Sequence, residues 1–305
     1  MPVERVGGDA ERAIASVLRQ EAPFPFELIV VSGTALKMAA EARVRNVVVP
    51  NRNPATRRNR GVSAATGTIL GFIDDDAFAA PGWLAAAVEY LDEHPDVLAL
   101  GGPDPAPDDS TISELISDTL LATPHIGSGI AAHENRRGTF AITQPADVAL
   151  VNLFVRRSEF TEFDESIGYI GEDTALLHQL LARGTVVYHD AVRVFHRRRA
   201  FPGPYLRQRW RYRVKTGEML VRGARAYREN AKIQAFLIAA VIGLLTFPIS
   251  FPLYLIATFI LGVRVTRLPI VMWPLIPFAF ALHHATYFLG IVWGTVRGTL
   301  RATKV

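Results

Sequence analysis

Three consecutive carboxylates, Asp74-Asp75-Asp76, directly follow an apolar run that ends at Ile73. Adjacent carboxylates repel one another unless a cation or hydrogen-bond donors compensate their charge. A divalent metal ion bound with phosphates is a common compensator, because it prefers oxygen ligands and keeps open positions for phosphate. The triad therefore indicates a metal and phosphate site. A solvated acidic turn before the next helix is the alternative from these residues alone.

The elements before and around this triad alternate between apolar runs and helical spacing. Such alternation is typical of βαβ units, which build a mostly parallel sheet and bind ligands at the carboxyl ends of its strands. The predicted strands are Leu28–Val31, Asn46–Val49, Thr68–Ile73 and Val97–Leu100, and the predicted helices are Ala10–Gln20, Pro54–Ala65 and Pro81–His94.

The following part of the chain is less regular. A Pro- and Asp-rich stretch over residues 103–112 predicts a loop, and no clear periodicity follows until Pro145. After it, Val148–Val155 has the composition of a strand, Thr174–Ala182 that of a helix, and Val186–Tyr188 that of a short strand.

Four motifs in order carry a family resemblance. The segment Thr56–Gly67, leading into Phe72-Ile73-Asp74-Asp75-Asp76 and then Pro81-Gly82-Trp83-Leu84, resembles family 2 glycosyltransferases of the GT-A fold. Further on, Gly171–Leu176 looks like the Glu-Asp motif of that family, and His196–Arg199 looks like its His-x-Arg element. The resemblance covers roughly Asp9 to Gly217 and implies an α/β domain that binds a nucleotide sugar.

The resemblance also implies roles for individual residues. Asp76 would bind Mg²⁺ or Mn²⁺ at the donor diphosphate, and Asp74 would contact the metal or the ribose. His196 is a candidate further metal ligand, although a histidine hydrogen-bonded beside the arginines is equally compatible with the sequence. The other residues placed on the donor side are Asp75, Arg57, Arg58 and Ser32.

The acidic pair Glu172-Asp173 supplies the candidates for the general base in this resemblance. A carboxylate within hydrogen-bond reach would accept the proton of the acceptor hydroxyl. We favour Asp173 over Glu172 for this role. Acidic side chains are also common at helix N-termini because of the helix dipole, so a purely structural role is the alternative.

The N-terminus departs from the family pattern. Family members open with an apolar strand, and Met1–Gly8 contains nothing comparable; the acidic residue after the second strand is replaced by Val31-Ser32-Gly33-Thr34. We therefore expect that the start assigned to the chain is late and that a strand is encoded upstream. The alternative is that Pro2–Val6 forms a short substitute strand.

Charge and hydropathy divide the chain into three parts. Residues 1–192 carry a net charge of −12 and residues 193–232 a net charge of +11. No Asp, Glu, Lys or Arg occurs from Ile233 to Val263 or from Leu268 to Val296, and each run exceeds the roughly 20 residues needed to cross a bilayer. A basic block directly before apolar runs favours the cytoplasmic membrane face over nucleic acid as its partner.

The expected architecture is a GT-A domain over residues 1–200, a basic amphipathic connector over 201–232, transmembrane segments over 233–263 and 268–296, and a cytoplasmic tail over 297–305. Prolines in both runs predict kinks or a re-entrant segment. Two crossings would leave only Arg264 and Arg267 on the far side. The absence of cysteine excludes disulfides, and the charged first 22 residues exclude a signal peptide, so the catalytic domain is expected in the cytoplasm.

The predicted function is the metal-dependent, inverting transfer of a sugar from a nucleotide diphosphate sugar to a polyprenyl-linked or other membrane-proximal glycan. Two alternatives belong to other classes. A degenerate transferase retained as a membrane scaffold would fit the missing first strand. A small transporter would need ionisable residues in the apolar runs, where only His283 and His284 qualify.

Overall fold

The computed structural model describes residues 1–3, 7–36, 42–128, 130–166, 171–221 and 231–302. The chain forms two compact units. The α/β unit comprises Met1–Asp108 and Gly129–Arg197, and the helical unit comprises Asp109–Ser128 and Arg198–Val305. The boundary predicted near residue 200 lies close to Arg197, but the assignment of Asp109–Ser128 to the helical unit was not expected from the sequence.

A parallel sheet of three strands opens the α/β unit, in the order β1-β2-β3. Its strands are β1 (Pro2–Val3), β2 (Leu28–Ser32) and β3 (Val44–Val48), and its helices are α1 (Asp9–Leu18) and α2 (Pro54–Ala64). Helix α2 begins as its sequence predicts. The Asn53 side chain accepts from the Ala55 N–H, and Pro54 has no N–H that would need a partner.

A second sheet of five strands has the order β4-β8-β6-β9-β7. A separate ribbon pairs β5 with β10, and helices α3 and α5 complete the unit. The bounds are β4 (Ile69–Phe72), β5 (Ala77–Ala79), α3 (Trp83–Glu93), β6 (Val97–Gly101), β7 (Thr139–Ala141), β8 (Leu153–Arg156), α5 (Glu172–Arg183), β9 (Thr185–His189) and β10 (Val194–His196).

The prediction of a mostly parallel sheet is wrong for this second sheet. Strand β8 lies between β4 and β6 and runs antiparallel to both, so only β6 and β9 pair in parallel. Strand β7 also runs antiparallel to β9, and β8 follows it in the same direction after the 3-10 turns at Pro145–Asp147 and Leu150–Asn152. The chain therefore enters β8 opposite to β6 and β4.

Strand β1 is only two residues long and pairs with β2. Pro2–Val3 are therefore the described part of the short strand Pro2–Val6 that is the alternative prediction for the N-terminus. The remainder of that predicted strand, residues 4–6, lies outside the described residues. Separately, a cavity of about 730 Å³ is lined by residues of both β2 and β4, among them Val31 and Leu70.

The helical unit contains a helix that the sequence reading missed. Helix α4 (Ile112–Ala122) follows a capping box, in which the Thr111 side chain accepts from the Glu114 N–H and the Glu114 carboxylate accepts from the Thr111 N–H. The signal was present as Thr-x-x-Glu before an apolar run, and the preceding Pro/Asp-rich loop obscured it. The remaining helices are α6 (Gly203–Val221), α7 (Ala231–Leu245), α8 (Phe247–Val263) and α9 (Ile276–Ala302).

One helical segment in the described part of the chain, Ile270–Arg301, is long and apolar enough to cross a membrane. The predicted transmembrane segment 233–263 is not one helix, because it is divided into α7 and α8 at Thr246. Pro248 lies in the first turn of α8, where its missing N–H favours a new helix start. The predicted tail is helical as far as Ala302, and residues 303–305 lie outside the described residues.

Helices α6 and α9 approach to backbone contact. Glycines at positions 290, 294 and 298 recur every four residues and so lie on one face of α9. A Cβ atom at Gly294 would stand 2.1 Å from the Val214 carbonyl oxygen, and one at Gly217 would stand 2.2 Å from the Ile291 carbonyl oxygen. Small residues at this spacing allow close helix packing, so the α6–α9 contact depends on them.

We predict that Gly294→Ala destabilises the protein, because the added methyl group overlaps the α6 backbone; overpacking of this kind costs about 1–3 kcal/mol. Gly243→Ala in α7 is the matched control, since a Cβ there meets nothing within 4 Å. The control gains helix propensity and is expected to unfold at the same or a higher temperature. Thermal unfolding in detergent measures both, and equal behaviour of the two variants would contradict the packing.

Candidate functional site

The pairing of β5 with β10 brings the predicted metal ligands together. His196 stands opposite Ala77 in this antiparallel register, and Ala77 directly follows the acidic triad. The Arg197 N–H donates to the Asp76 carbonyl oxygen at 2.9 Å and extends the pairing. The histidine Nε2 consequently lies 3.4 Å from the Asp76 Oδ1.

A second carboxylate, Asp104, holds the other nitrogen of His196. The Nδ1 of His196 lies 3.4 Å from the Asp104 Oδ2, and the Nδ1 of His133 lies 2.6 Å from the Asp104 Oδ1. Asp104 is fully buried, and its backbone N–H donates to the Ala132 carbonyl oxygen. An ionised Asp104 would only accept, so the Nδ1 atoms of both histidines would donate to it. In a neutral His196 the Nε2 would then carry no proton and could serve as a metal ligand.

The donor set at Asp76 and His196 fits a divalent metal ion that is shared with phosphate. Within the described ranges no group of three or more His, Asp and Glu side chains could hold a metal by itself. Two ligands at right angles, each roughly 2.1 Å from an ion, are about 3 Å apart, and the observed 3.4 Å is close to that separation. Two protein ligands leave positions for diphosphate oxygens.

A buried arginine joins the first acid of the triad to the Glu-Asp motif. The Arg58 guanidinium lies 3.1 Å from the Asp74 Oδ1 through Nη2 and 2.9 Å from the Glu172 Oε1 through Nη1. Its side chain is 10 % exposed, and that of Glu172 is 8 % exposed. The three side chains thus form one ion-paired group that connects α2, the turn after β4 and the start of α5.

The two candidate bases have different surroundings. Burial raises the pKa of Glu172 above its ordinary value, the neighbouring Asp173 carboxylate adds to this, and the Arg58 contact opposes it. Asp173 is half-buried, and its Oδ1 accepts from the Thr174 N–H at 2.7 Å. Glu172 is therefore committed to Arg58, whereas Asp173 lies in the more open position.

The remaining predicted donor residues lie near the end of β2 and in the acidic turn. Ser32 is fully buried; its hydroxyl donates to the Thr34 carbonyl oxygen and accepts from the Asn46 side chain. The Arg57 Nε donates to the Asn51 carbonyl oxygen, and a Cβ at Gly33 would meet the Arg57 guanidinium. Asp75 is half-buried in the turn between β4 and β5.

Two residues of the site, Asp104 and His133, were missed by the sequence reading. Asp104 stands in the Pro/Asp-rich loop after β6, where a carboxylate at a strand end was a usable signal. His133 carries no local signal, since it lies in an irregular stretch and reaches the site through Asp104.

Sequence comparison finds a family similarity in the first half of the chain. The family model described as Glycosyl transferase family 2 matches residues 4–145. A curated relative, the glucosyl-dolichyl phosphate glucuronosyltransferase of Haloferax volcanii, is 38% identical over 52 residues. That alignment spans 17% of this chain and 17% of the relative.

Structure comparison gives the same type of fold. The mannosyltransferase PcManGT from Pyrobaculum calidifontis, solved in complex with GDP-Man and Mn²⁺, is 19% identical with a TM-score of 0.52, covering 98% of this chain and 85% of that one. Residues 1–349 of TarS from S. aureus are 13% identical with a TM-score of 0.48, covering 95% and 88%. The match to PcManGT confirms the GT-A-like α/β fold predicted from the motifs.

We predict that Arg58→Met lowers the free energy of unfolding by on the order of 3 kcal/mol, because two carboxylates would lose their shared cation in a buried setting. Arg60→Met is the matched control, since Arg60 lies exposed on the same helix and its loss is expected to cost less than about 0.5 kcal/mol. Urea unfolding followed by tryptophan fluorescence measures both. Similar losses in the two variants would show that the Arg58 ion pairs contribute little.

Proposed function

Residues 4–145 are a glycosyl transferase family 2 domain, and from this premise we propose that the protein transfers a sugar from a nucleotide diphosphate sugar to a lipid-linked or membrane-proximal glycan, with inversion. The observation that carries the proposal is the meeting of Asp76 with His196 at the end of β4, with Asp104 behind the histidine. This arrangement provides oxygen and nitrogen ligands at the carboxyl end of a strand, where α/β folds bind nucleotides.

Asp76 and His196 are the proposed ligands of Mg²⁺ or Mn²⁺. When bound there, the ion supplies Lewis-acid stabilisation of the negative charge that develops on the departing nucleoside diphosphate. Asp104 fixes the tautomer of His196, so that the Nε2 lone pair faces the ligand position. Asp75, Arg57 and Ser32 are proposed to lie on the donor side, and Asp74 and Arg58 to shape it as an ion pair.

Asp173 is the proposed general base. The step requires a carboxylate that takes the proton of the acceptor hydroxyl as its oxygen attacks the anomeric carbon. Glu172 is less suited, because its carboxylate is buried against Arg58. Attack from the side opposite the leaving diphosphate gives inversion at the anomeric carbon.

The acceptor is proposed to be attached to the membrane. The curated relative from Haloferax volcanii acts on a glucosyl-dolichyl phosphate by its name, and the helical unit here exposes apolar helices beside a basic segment. A polyprenyl-linked glycan has both the lipid and the sugar hydroxyl that this combination suits. The net charge of +11 over residues 193–232 favours attachment at the cytoplasmic face, with the catalytic residues in the cytoplasm.

The test is a screen of UDP, GDP and dTDP sugars for Mn²⁺-dependent hydrolysis or transfer by the full chain. We expect Asp76→Ala to abolish turnover and the metal dependence of donor binding. Asp173→Asn should lower turnover by two to four orders of magnitude, the usual worth of a general base, while donor binding is kept.

Near-normal transfer by Asp76→Ala would refute the metal ligand assignment. A crippled Glu172→Gln variant beside a mild Asp173→Asn variant would exchange the roles of the two carboxylates. No hydrolysis or transfer of any donor by the wild-type chain would refute the proposed activity.

Asp104→Asn is predicted to weaken Mn²⁺ binding in the presence of GDP or UDP by about 10–100-fold, the usual effect of losing a carboxylate behind a histidine ligand. Asp108→Asn is the control, because Asp108 is exposed in the same loop. The measurement is free Mn²⁺ by electron paramagnetic resonance. Equal affinity of the two variants would contradict the role of Asp104 in holding His196.

A further inference from the structure

Helix α9 exposes apolar side chains on one face only. The opposite face is buried and includes Phe280, His283 and Gly294. A helix surrounded by lipid would expose apolar residues over most of its circumference, whereas a helix lying at a surface exposes one stripe. The exposed stripe repeats at three, four and seven residues and consists of Phe278, Leu282, Leu289, Val292, Trp293, Val296 and Leu300.

The buried face of α9 is covered from His283 to Arg301 by α6, a charged helix. Residues later in α6 contact residues later in α9. Tyr205 hydrogen-bonds His283 at 2.9 Å, and Glu218 pairs with Arg297 at 3.3 Å. The two helices therefore run parallel and side by side. If α9 crossed a bilayer, α6 would be carried into the hydrocarbon with it. Its sequence has five Arg and Lys and one Glu between residues 207 and 218, which makes such burial costly.

The exposed side of α6 has the composition of a membrane interface. Arg207, Trp210 and Arg211 are exposed on one face and, with Leu206 and Thr286, line a groove of about 410 Å³. By contrast, the Arg213 guanidinium lies 3.5 Å from the centre of the Tyr287 ring inside the α6–α9 contact. Exposed arginines beside a tryptophan match an anionic headgroup layer, so the charge of this face indicates which lipid it meets.

The segment between α8 and α9 is held to α4. Thr266 and Thr119 share a hydrogen bond of 2.8 Å, and Arg267 lies 3.6 Å from Asp118. Helix α4 has 11 residues, too few to cross a bilayer, and the α/β unit continues the chain at both of its ends. With the α/β unit on one side of a membrane, the α8–α9 segment would therefore lie on that side too, which argues against the predicted crossing by residues 233–263.

Helices α7 and α8 form a hairpin, because Phe236 of α7 and Tyr254 of α8 both contact His284 of α9. They have 15 and 17 residues, fewer than the roughly 20 that a crossing usually needs, and are joined at Thr246. Apart from Val48, Ile112 and Trp210, the exposed large hydrophobic side chains of the described residues all lie between Ile238 and Leu300. The apolar surface is thus confined to α7, α8 and the segment around α9.

We propose that the helical unit binds one leaflet of an anionic membrane and does not cross it. The α7–α8 hairpin inserts into the hydrocarbon of that leaflet. Helix α9 lies along the interface with its apolar stripe toward the hydrocarbon, and Arg207 and Arg211 contact lipid headgroups. This proposal deepens the membrane attachment of the proposed function and rests on it. Its consequence is that residues 158, 264 and 301 all face the compartment of the α/β unit.

The absence of native cysteine allows a direct test. Single variants Ser158→Cys, Arg264→Cys and Arg301→Cys, each at an exposed position, are made in the full chain and reconstituted into sealed vesicles containing anionic lipid. A membrane-impermeant maleimide is added before and after the vesicles are opened. Attachment to one leaflet predicts the same labelled fraction before opening at all three positions.

The other arrangements give different patterns and would overturn the proposal. Two crossings would protect position 264 when 158 is labelled, and one crossing by α9 would protect position 301 instead. Failure of the protein to float with vesicles would refute membrane attachment itself and would leave the transferase activity to the donor screen.

A second measurement distinguishes lipid from a second copy of the chain on the α9 stripe. Spin labels replace Leu282, Leu289 and Val296 singly, and their accessibility to oxygen and to a nickel chelate gives their depth. These positions span 14 residues, so a crossing helix would separate them by about 20 Å in depth, whereas an interfacial helix gives similar depths. Low oxygen accessibility at all three would show that protein covers the stripe, and would refute the proposal.

Discussion

Negative charge at the ends of β4 and β6 is the constraint that organises the α/β unit. Asp74, Asp76 and Asp104 lie within a small region, and Asp104 has no exposed surface. Buried carboxylates are stable only with cations or donors around them. Arg58, His133 and His196 come from a helix, a loop and a late strand to provide these partners, so the charge compensation itself connects distant parts of the chain.

The compensation differs between two acids of the same triad. Asp74 shares the Arg58 guanidinium with Glu172, so one cation offsets part of the charge of two carboxylates. Asp76 is contacted by His196, and imidazole and carboxylate are both common metal ligands.

The helical unit depends on a different interaction, the backbone contact between α6 and α9. Glycines on both helices let a charged helix lie against an apolar one. In the proposed membrane attachment, that contact decides how the apolar surface meets lipid, because carrying a charged partner through hydrocarbon is costly. Hydropathy along the chain identifies the apolar stretch, but it does not show that the charged helix α6 packs against α9.

The sequence by itself determined the family-type fold, the acidic triad at the end of β4, the start of α2 at Pro54 and the apolar C-terminal region. These follow from local signals, namely strand composition, helix capping and runs without charge. The tertiary structure decided that β8 enters antiparallel, that Asp104 and His133 stand behind His196, that Arg58 binds Glu172, and that α4 joins the helical unit. Each of these depends on contacts between residues far apart in the chain, and neither periodicity nor spacing in a single sequence encodes such pairings.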